Sequence, residues 1–190
     1  MREACILHRY VIHAYNLKMT DEKLVNIFGA LALAVSDDLL AETQKEAPEP
    51  GFAAAAVSLL RHEPGMSIDQ LRRGLPLSHP GAVRLVDRLA ADGLVVRQPS
   101  ARDRRAVSLN LTPTGEQACA KIRAARGASV GKALDALNAD ERATFGVLVE
   151  KMLSALVQGE DHAYAVCRLC DEVACGKCPV EGALRSSVAR

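Results

Sequence analysis

The segment of residues 78–115 constrains the fold more than any other, because a helical pattern in it is followed at once by two strand patterns. From Ser78, a residue type that caps helix N-termini, apolar side chains recur at helical spacing on one face. That face comprises Ala82, Leu85, Val86, Leu89 and Ala90. Gly93 suits the position just after a helix, and Leu94 begins an extended run. The segment therefore predicts a helix that packs on a core and continues into a β-hairpin.

The opposite face of this predicted helix is charged. It carries Arg84, Asp87 and Arg88, while Ser78 and His79 lie at its N-terminus. Two arginines one turn apart can offer guanidinium groups to guanine edges or phosphates, and a helix N-terminus favours anions. The same charges also suit an ordinary solvated helix face. The helix alone leaves these two interpretations open.

The predicted hairpin has a basic tip. Its strands are expected from Leu94 and over residues 106–111, where apolar and polar residues alternate. The connection holds three arginines and one aspartate, namely Arg102, Arg104, Arg105 and Asp103. Such a hairpin can place an arginine in the narrow minor groove of DNA, with Asp103 holding a neighbouring guanidinium. We therefore expect the helix and the hairpin to contact duplex DNA together.

Two further helices are predicted immediately upstream. Residues 52–61 form an alanine-rich helical pattern, and residues 67–70 match a capping box that opens a short helix ending near Leu75. This short helix, the turn at residues 76–77 and the helix after Ser78 match a helix-turn-helix, whose second helix fits a major groove.

In these residues the chain resembles the MarR family of winged helix-turn-helix regulators. The match to the family's recognition helix comprises Leu77, Ser78, Arg84, Leu85, Val86, Asp87, Arg88 and Leu89, followed by Gly93, Leu94 and Val95. The match to its wing comprises Arg102, Asp103, Arg105, Leu111, Thr112 and Gly115, whereas Ser100 stands where the family usually has an aspartate. The resemblance covers about residues 21–158. It implies a mainly α fold with a small β-hairpin wing, in which long dimerisation helices flank a winged helix-turn-helix.

Long helices are predicted on both sides of this region. Apolar residues recur at helical spacing from Asp21 to about Glu46, after Pro113 towards Leu137, and again after Asn138. Their apolar surface exceeds what one small wing domain can cover, which argues for a partner subunit. The resemblance likewise implies a homodimer on pseudo-palindromic double-stranded DNA, with recognition helices about 34 Å apart. It also implies a small-molecule effector that changes the angle between the two lobes.

Five segments follow from this interpretation. They are an N-terminal extension (1–20), an N-terminal dimerisation helix (21–48), the DNA-binding region (49–112), C-terminal dimerisation helices (113–160) and a cysteine-rich tail (161–190). The net charge is only +1, yet residues 61–105 hold nine arginines against five acids, where the DNA-binding surface is expected.

Other classes of protein are less consistent with the sequence. No run of about 20 apolar residues suggests a bilayer span, and residues 1–5 lack a secretory signal, so we expect a cytoplasmic protein without a membrane partner. No Ser/His/Asp arrangement, phosphate loop or HExxH motif is evident, and we expect no enzymatic activity.

The tail carries four cysteines in a C-x2-C-x4-C-x2-C pattern: Cys167, Cys170, Cys175 and Cys178. In a reducing compartment such a pattern indicates a metal before disulfides. Four thiolates satisfy tetrahedral Zn²⁺ and leave no open position, so the predicted site is not catalytic. The short central gap and the ending at Pro179 are also typical of iron–sulfur segments, and free thiols or a reversible disulfide are a third alternative. His162 could replace one thiolate, although we favour a solvated histidine there.

We predict a sequence-specific DNA-binding transcriptional regulator, a repressor, that acts as a homodimer. Arg84 and Arg88 would read the major groove, Ser78 and His79 would contact phosphates or bases, and the wing arginines would grip phosphates or the minor groove. The tail site is structural, or it makes the protein a metal- or redox-responsive sensor whose tail controls DNA release. Remote alternatives are a thiol-disulfide enzyme that uses the C-x2-C pairs and a protein-interaction module that does not bind DNA.

Overall fold

The computed structural model describes residues 19–100 and 107–188. The chain divides into two compact units, Met1–Asp38 and Leu39–Arg190. Most of the predicted N-terminal extension lies outside the described residues. So does the wing tip, with Arg102, Asp103, Arg104 and Arg105.

Within the described residues the chain forms eight helices and one pair of strands. In chain order these are α1 (Asp21–Lys45), α2 (Ala53–His62), α3 (Ile68–Gly74), α4 (His79–Ala91), β1 (Val95–Pro99), β2 (Val107–Leu111), α5 (Pro113–Leu134), α6 (Ala139–Leu156), α7 (Glu160–Cys167) and α8 (Pro179–Val188). This mainly helical fold with a small hairpin confirms the predicted fold class. Helix α5 ends three residues earlier than predicted, because residues 135–137 form the turn that precedes the Asn138 cap of α6.

Side-chain caps determine where both helices of the helix-turn-helix begin. At α3 the Gln70 backbone N–H donates to Ser67 Oγ at 3.2 Å, and the Ser67 N–H donates to Gln70 Oε1 at 2.9 Å, which is the predicted capping box. At α4 the Gly81 N–H donates to Ser78 Oγ at 3.2 Å, as predicted for Ser78. A cap of this kind contributes about 1 kcal/mol to stability. Local sequence therefore sets the start of each helix.

The two strands form an antiparallel hairpin that is attached to the helix-turn-helix. Val95 lies opposite Leu111 in the register of β1 and β2. Leu109 also forms a bridge with Met66, in the segment before α3, and its N–H donates to the Met66 carbonyl at 2.9 Å. The wing is consequently hydrogen-bonded to the segment that leads into the helix-turn-helix.

Two glycines allow the chain to pass from α4 into the hairpin and on to α5. Gly93 has a φ of 69°, in the left-handed region that favours glycine after a helix. Gly115, in the first turn of α5, lies so close to the Leu94 carbonyl that a Cβ would stand 2.1 Å from its oxygen. Thr112 Oγ1 donates to the Gly93 carbonyl at 2.6 Å. The hairpin is therefore held closely between the two helices.

Helices α2, α3, α4 and α5 and the hairpin form the main hydrophobic core. Its fully buried large side chains include Leu59, Leu60, Met66, Leu71, Leu89, Leu109 and Ile122. Each buried leucine contributes about 1.5–3 kcal/mol. The predicted apolar face of α4 lies in this core, with Ala90 half-buried at its edge.

Helices α1 and α6 each leave large apolar side chains exposed, as predicted for the flanking helices. On α1 these are Leu24, Val25, Ile27, Phe28, Leu31, Leu33 and Leu40. On α6 they are Val147, Leu148, Met152 and Leu156. Both helices therefore offer surface that a second chain could cover.

By length and composition α1 is also able to cross a membrane. From the sequence we expected no run of about 20 apolar residues that could span a bilayer, and this helix departs from that expectation. Asp37 and Asp38 lie in its C-terminal half, and carboxylates are costly inside a membrane. A long apolar helix of this kind also serves as a contact between subunits.

The tail contains two helices that were not predicted. Cys167 is the last residue of α7, and Cys178 directly precedes α8. Ala163, Cys167 and Val180 form a small second core with partly buried residues that include Leu153 of α6. The N-cap of α7 is Gly159, which has no side chain to cap the helix, and eight residues are too few for a clear helical period. These two facts explain why sequence patterns did not reveal α7.

Candidate nucleic-acid interface and cysteine cluster

Helix α4 presents its predicted charged face to solvent. Arg84, Asp87 and Arg88 are exposed, while the opposite face is buried in the core. Helix α3 packs beside α4 through Leu71 and Leu75, which are both buried. The two helices thus have the arrangement in which the second one can enter a groove of DNA.

The N-terminus of α4 brings together two predicted contact residues. Ser78 is exposed, and its hydroxyl oxygen caps the helix. His79 is also exposed, with Nδ1 3.3 Å from Oδ1 of Asp69. Asp69 accepts a further hydrogen bond from Arg72 Nε at 2.8 Å. The Arg72 hydrogen bond, followed by that of His79, lowers the pKa of Asp69, so its carboxylate stays charged beside the helix N-terminus.

Arg88 is held by a carboxylate that sequence patterns did not single out. Its Nε donates to Oε2 of Glu49, and this hydrogen bond raises the pKa of Arg88. Oε1 of Glu49 is buried and accepts no hydrogen bond within the described residues. Gln44 Nε2 donates to the Glu49 carbonyl at 3.0 Å, which fixes the loop to the end of α1. Glu49 stands between two prolines, where no periodic pattern could have indicated its role.

A second ion pair joins the recognition helix to the wing. Nη2 of Arg97, on β1, lies 2.6 Å from Oδ1 of Asp87, on α4. Sequence reasoning counted Arg97 only in the local charge. The pair links the helix and the hairpin directly, so that they can act as one surface. Ion pairs as exposed as this one contribute little stability, about 0–1 kcal/mol.

The arrangement matches known proteins. Residues 53–106 match the model of the MarR family. Wild-type MarR from E. coli, in its apo form, superposes with a TM-score of 0.52 at 29% identity, over 66% of this chain and 96% of that one. The chain therefore has the winged-helix fold that is seen in solved MarR-family structures. The transcriptional repressor CouR, solved bound to a 23-mer DNA duplex, has a TM-score of 0.52 at 22% identity, over 72% of this chain and 99% of that one.

A curated protein from Thauera aromatica is similar to part of this chain. It is named "Putative transcriptional regulatory protein for hcr operon" and is 34% identical over 83 residues. The alignment covers 44% of this chain and 49% of that protein, so the chain spans about half the length of this relative. The family match at residues 53–106 includes every residue predicted to contact DNA. It ends well before the four cysteines of the tail.

The four tail cysteines line one cavity beside the MarR-type winged helix. All four are free thiols, with Cys167 buried and the other three half-buried. The cavity has a volume of about 130 Å³ and is lined by Cys167, Cys170, Cys175, Cys178, His62, Glu172, Gly176 and Glu181. In the part of the chain that the structure describes, no three His, Cys, Asp or Glu side chains are gathered closely enough to hold a metal ion as they stand. Zinc binding by these cysteines therefore stays a prediction.

The thiols influence one another within this cavity. Interaction with Cys170, and then burial, raises the pKa of Cys167. The hydrogen bond with Cys167 lowers the pKa of the Cys170 thiol. Burial is the main cause of the raised pKa of Cys175. Cys170 is thus the most acidic of these three neighbouring thiols.

The segment between the two cysteine pairs is anchored on the MarR-type winged helix. Asp171 Oδ1 accepts a hydrogen bond from Arg123 Nη1, on α5, at 3.0 Å. Glu172 Oε1 lies 3.4 Å from Arg61 Nη1, on α2, and its Oε2 lies 3.8 Å from Arg123 Nη1. Leu169 is buried in the main core. The tail is therefore packed against the winged helix and is not a separate appendage.

His162 and Cys119 could also ligate a metal by residue type, but neither lies at the cysteine cavity. His162 Nδ1 accepts a hydrogen bond from the Gln158 backbone N–H at 3.1 Å, and His162 does not line the cysteine cavity. Cys119 is buried on α5, and burial raises the pKa of its thiol. The first observation agrees with the expectation of a solvated His162, and a buried thiol such as Cys119 packs as a small apolar side chain.

Proposed function

We propose that this protein is a transcriptional regulator that binds duplex DNA through its MarR-type winged helix. The proposal depends on one observation above all, the exposed arginine face of α4 beside the hairpin. A helix of this kind enters the major groove, and a basic hairpin reaches the adjacent minor groove or phosphates. The name of the Thauera relative and the DNA duplex in the CouR structure support the same function here.

Each predicted contact residue has a distinct role in this proposal. Arg84 and Arg88 form hydrogen bonds with base edges, and Ser78 and His79 position the helix N-terminus on a phosphate. The wing tip then contacts the minor groove through Arg102, Arg104 and Arg105, with Asp103 in a supporting role. Base contacts supply sequence specificity, while phosphate contacts supply most of the affinity and its dependence on salt.

We further propose that the regulator is a homodimer and a repressor. The exposed apolar side chains of α1 and α6 are the surfaces that a second copy would cover. A two-fold dimer presents two recognition helices to successive major grooves, which requires a pseudo-palindromic operator. Repression is the simplest action of such a dimer, because occupying the operator suffices to block access to it. A small-molecule effector that favours one angle between the two halves would control DNA affinity.

A mobility-shift experiment with genomic fragments tests DNA binding. The wild-type protein should prefer some fragments over others at physiological salt. Arg84→Ala should reduce the ratio of specific to random binding about 5- to 150-fold, the equivalent of about 1–3 kcal/mol for one bidentate base contact. Arg142→Ala is the matched control, because Arg142 lies on α6 and pairs with Asp135 at 2.8 Å. Equal binding of all fragments by the wild type would remove the claim of a regulator.

We propose that the four cysteines bind one Zn²⁺, with an iron–sulfur cluster as the alternative. Their spacing, their free thiols and their common cavity support this proposal. A tetrahedral site with Zn–S bonds of about 2.3 Å requires the four sulfurs to lie about 3.8 Å from one another. The site would brace the tail or sense metal or redox state.

Elemental analysis and an absorption spectrum of the native protein test the tail site. One zinc per chain without visible absorption would support the proposal, and a brown protein would favour the iron–sulfur alternative. Cys170→Ser should lower the metal content, whereas Cys119→Ser, which removes a buried thiol elsewhere, should not. A native protein without bound metal would overturn both alternatives.

A further inference from the structure

We infer that metal binding by the tail is coupled to the helix-turn-helix through α7, which packs on α3 and ends in the first cysteine. This inference rests on the proposed zinc site. Cys167 is the C-terminal residue of α7, and Tyr164 lies one turn before it. A metal held by Cys167 would therefore act on the same short helix that contacts the DNA-binding motif.

The contact between α7 and α3 is close enough to transmit a displacement. A Cβ on Gly74, at the end of α3, would lie 2.8 Å from Cβ of Tyr164 and 3.0 Å from Cδ1 of Leu59. The backbone of α3 therefore lies directly against Tyr164. A shift of α7 towards α3 would therefore press on the α3 backbone at Gly74.

Polar contacts fix α7 in this position. The Tyr164 hydroxyl donates to Oε2 of Glu63, at the end of α2. Arg73 Nε, on α3, lies 3.5 Å from Oδ1 of Asp161, on α7. Helix α7 is thus attached to α2 and to α3, the two helices directly before α4.

The other cysteines lie on a segment with separate anchors. Leu169 is buried in the main core, and Asp171 and Glu172 pair with Arg123 of α5 and Arg61 of α2. A metal bound by all four thiols would tie the end of α7 to this anchored segment, so that the two could no longer move independently. Movement of α7 changes its contact with α3, and movement of the segment at 169–172 changes its contacts with the main core.

The coupling has a consequence for DNA binding. Leu71 of α3, Leu75 directly after it and Leu89 of α4 belong to the same hydrophobic core. The position of α3 therefore affects the orientation of α4 towards DNA. Metal occupancy would then change the affinity for DNA without a metal contact to α4 or to the hairpin. Linkage requires the reverse effect as well, so that DNA binding changes metal affinity by the same factor.

Hydrogen exchange of the full-length protein tests the coupling. Co²⁺ is first titrated into chelator-treated protein, and thiolate absorption reports whether the four cysteines bind metal. Amide exchange is then compared with and without Zn²⁺. We expect exchange in α3 to change at least about tenfold, while residues 21–38 of α1 serve as the internal reference and stay unchanged.

Two variants test the route through Tyr164. Tyr164→Gly removes the Cβ that faces Gly74; it should bind Co²⁺ as the wild type does but lose the effect on α3. Tyr164→Phe keeps this Cβ and should retain the effect. If Tyr164→Gly also transmits it, the route through this contact is wrong.

The outcomes separate the two proposals. Thiolate absorption with unchanged α3 exchange in the wild type would overturn the coupling and leave the metal site intact. Absence of thiolate absorption would overturn the metal site and the coupling together. Both outcomes come from the wild-type protein compared with and without metal, so they separate the two proposals even if a variant does not fold.

Discussion

At the scale of single residues, a carboxylate holds one of the arginines that are proposed to meet DNA. Glu49 pairs with Arg88. Glu49 must release this arginine or share it when a phosphate or a base approaches. It therefore weakens binding to any duplex, and only a duplex that offers good base contacts compensates for the loss.

Glu49 gives a prediction at this scale. Glu49→Gln should strengthen binding to random duplex DNA several-fold, because it frees Arg88 and removes a negative charge beside the proposed interface. The slope of log affinity against log salt should become steeper by up to about one unit. Glu46→Gln, an exposed acid three residues earlier, is the matched control and should have little effect. Fluorescence anisotropy over a range of salt concentrations measures both values, and unchanged binding by Glu49→Gln would show that the pair with Arg88 does not oppose DNA.

At the scale of elements, the caps and the apolar periods in the sequence were sufficient to predict α1 to α6 and the hairpin. Ser67, Ser78 and Asn138 cap the helices that they were predicted to cap. The tail helices could not be predicted in this way, because α7 and α8 are short and are stabilised by packing on other helices, α7 on α3 and α8 on α6. The roles of Glu49 and Arg97 were also hidden, since each depends on a contact with a residue distant in the sequence.

Gly115 gives a prediction for the wing. Gly115→Ala should lower the free energy of unfolding by about 1–3 kcal/mol, because the new Cβ would collide with the Leu94 carbonyl. Gly127→Ala is the matched control on the same helix, since in the described part of the chain nothing beyond the helix's own backbone lies within 4 Å of its added Cβ. It should stabilise the helix by about 0.5–1 kcal/mol. Urea unfolding of both variants measures the difference, and equal stabilities would show that the close approach at Gly115 is not a constraint.

At the scale of the whole molecule, the proposed recognition of DNA depends on a second copy of the chain. Helices α1 and α6 have apolar side chains that a monomer leaves in water, and two recognition helices are needed to read a pseudo-palindrome. The tail adds a second means of controlling DNA affinity, because it links a cysteine cluster to the same winged helix. DNA affinity would then depend on both the dimer geometry and the state of the tail.

Leu148 gives a prediction for the dimer. Leu148→Lys places a charge in the exposed apolar surface of α6, and we expect it to raise the dimer dissociation constant at least about tenfold. Glu150→Lys, two residues further along α6 and exposed, is the control for charge and should leave the assembly unchanged. Sedimentation of both variants over a range of concentrations distinguishes them. A wild-type protein that is monomeric at micromolar concentration would contradict the proposed dimer.

The most direct test of DNA recognition is selection of duplexes from a random library by the full-length protein at physiological salt. The account predicts a pseudo-palindromic motif whose half-sites are centred about 10–10.5 base pairs apart, or a multiple of that distance. Affinity for this motif should exceed that for unselected duplex by at least about 10³. Recovery of no motif, with an affinity that depends on salt alone, would contradict the account.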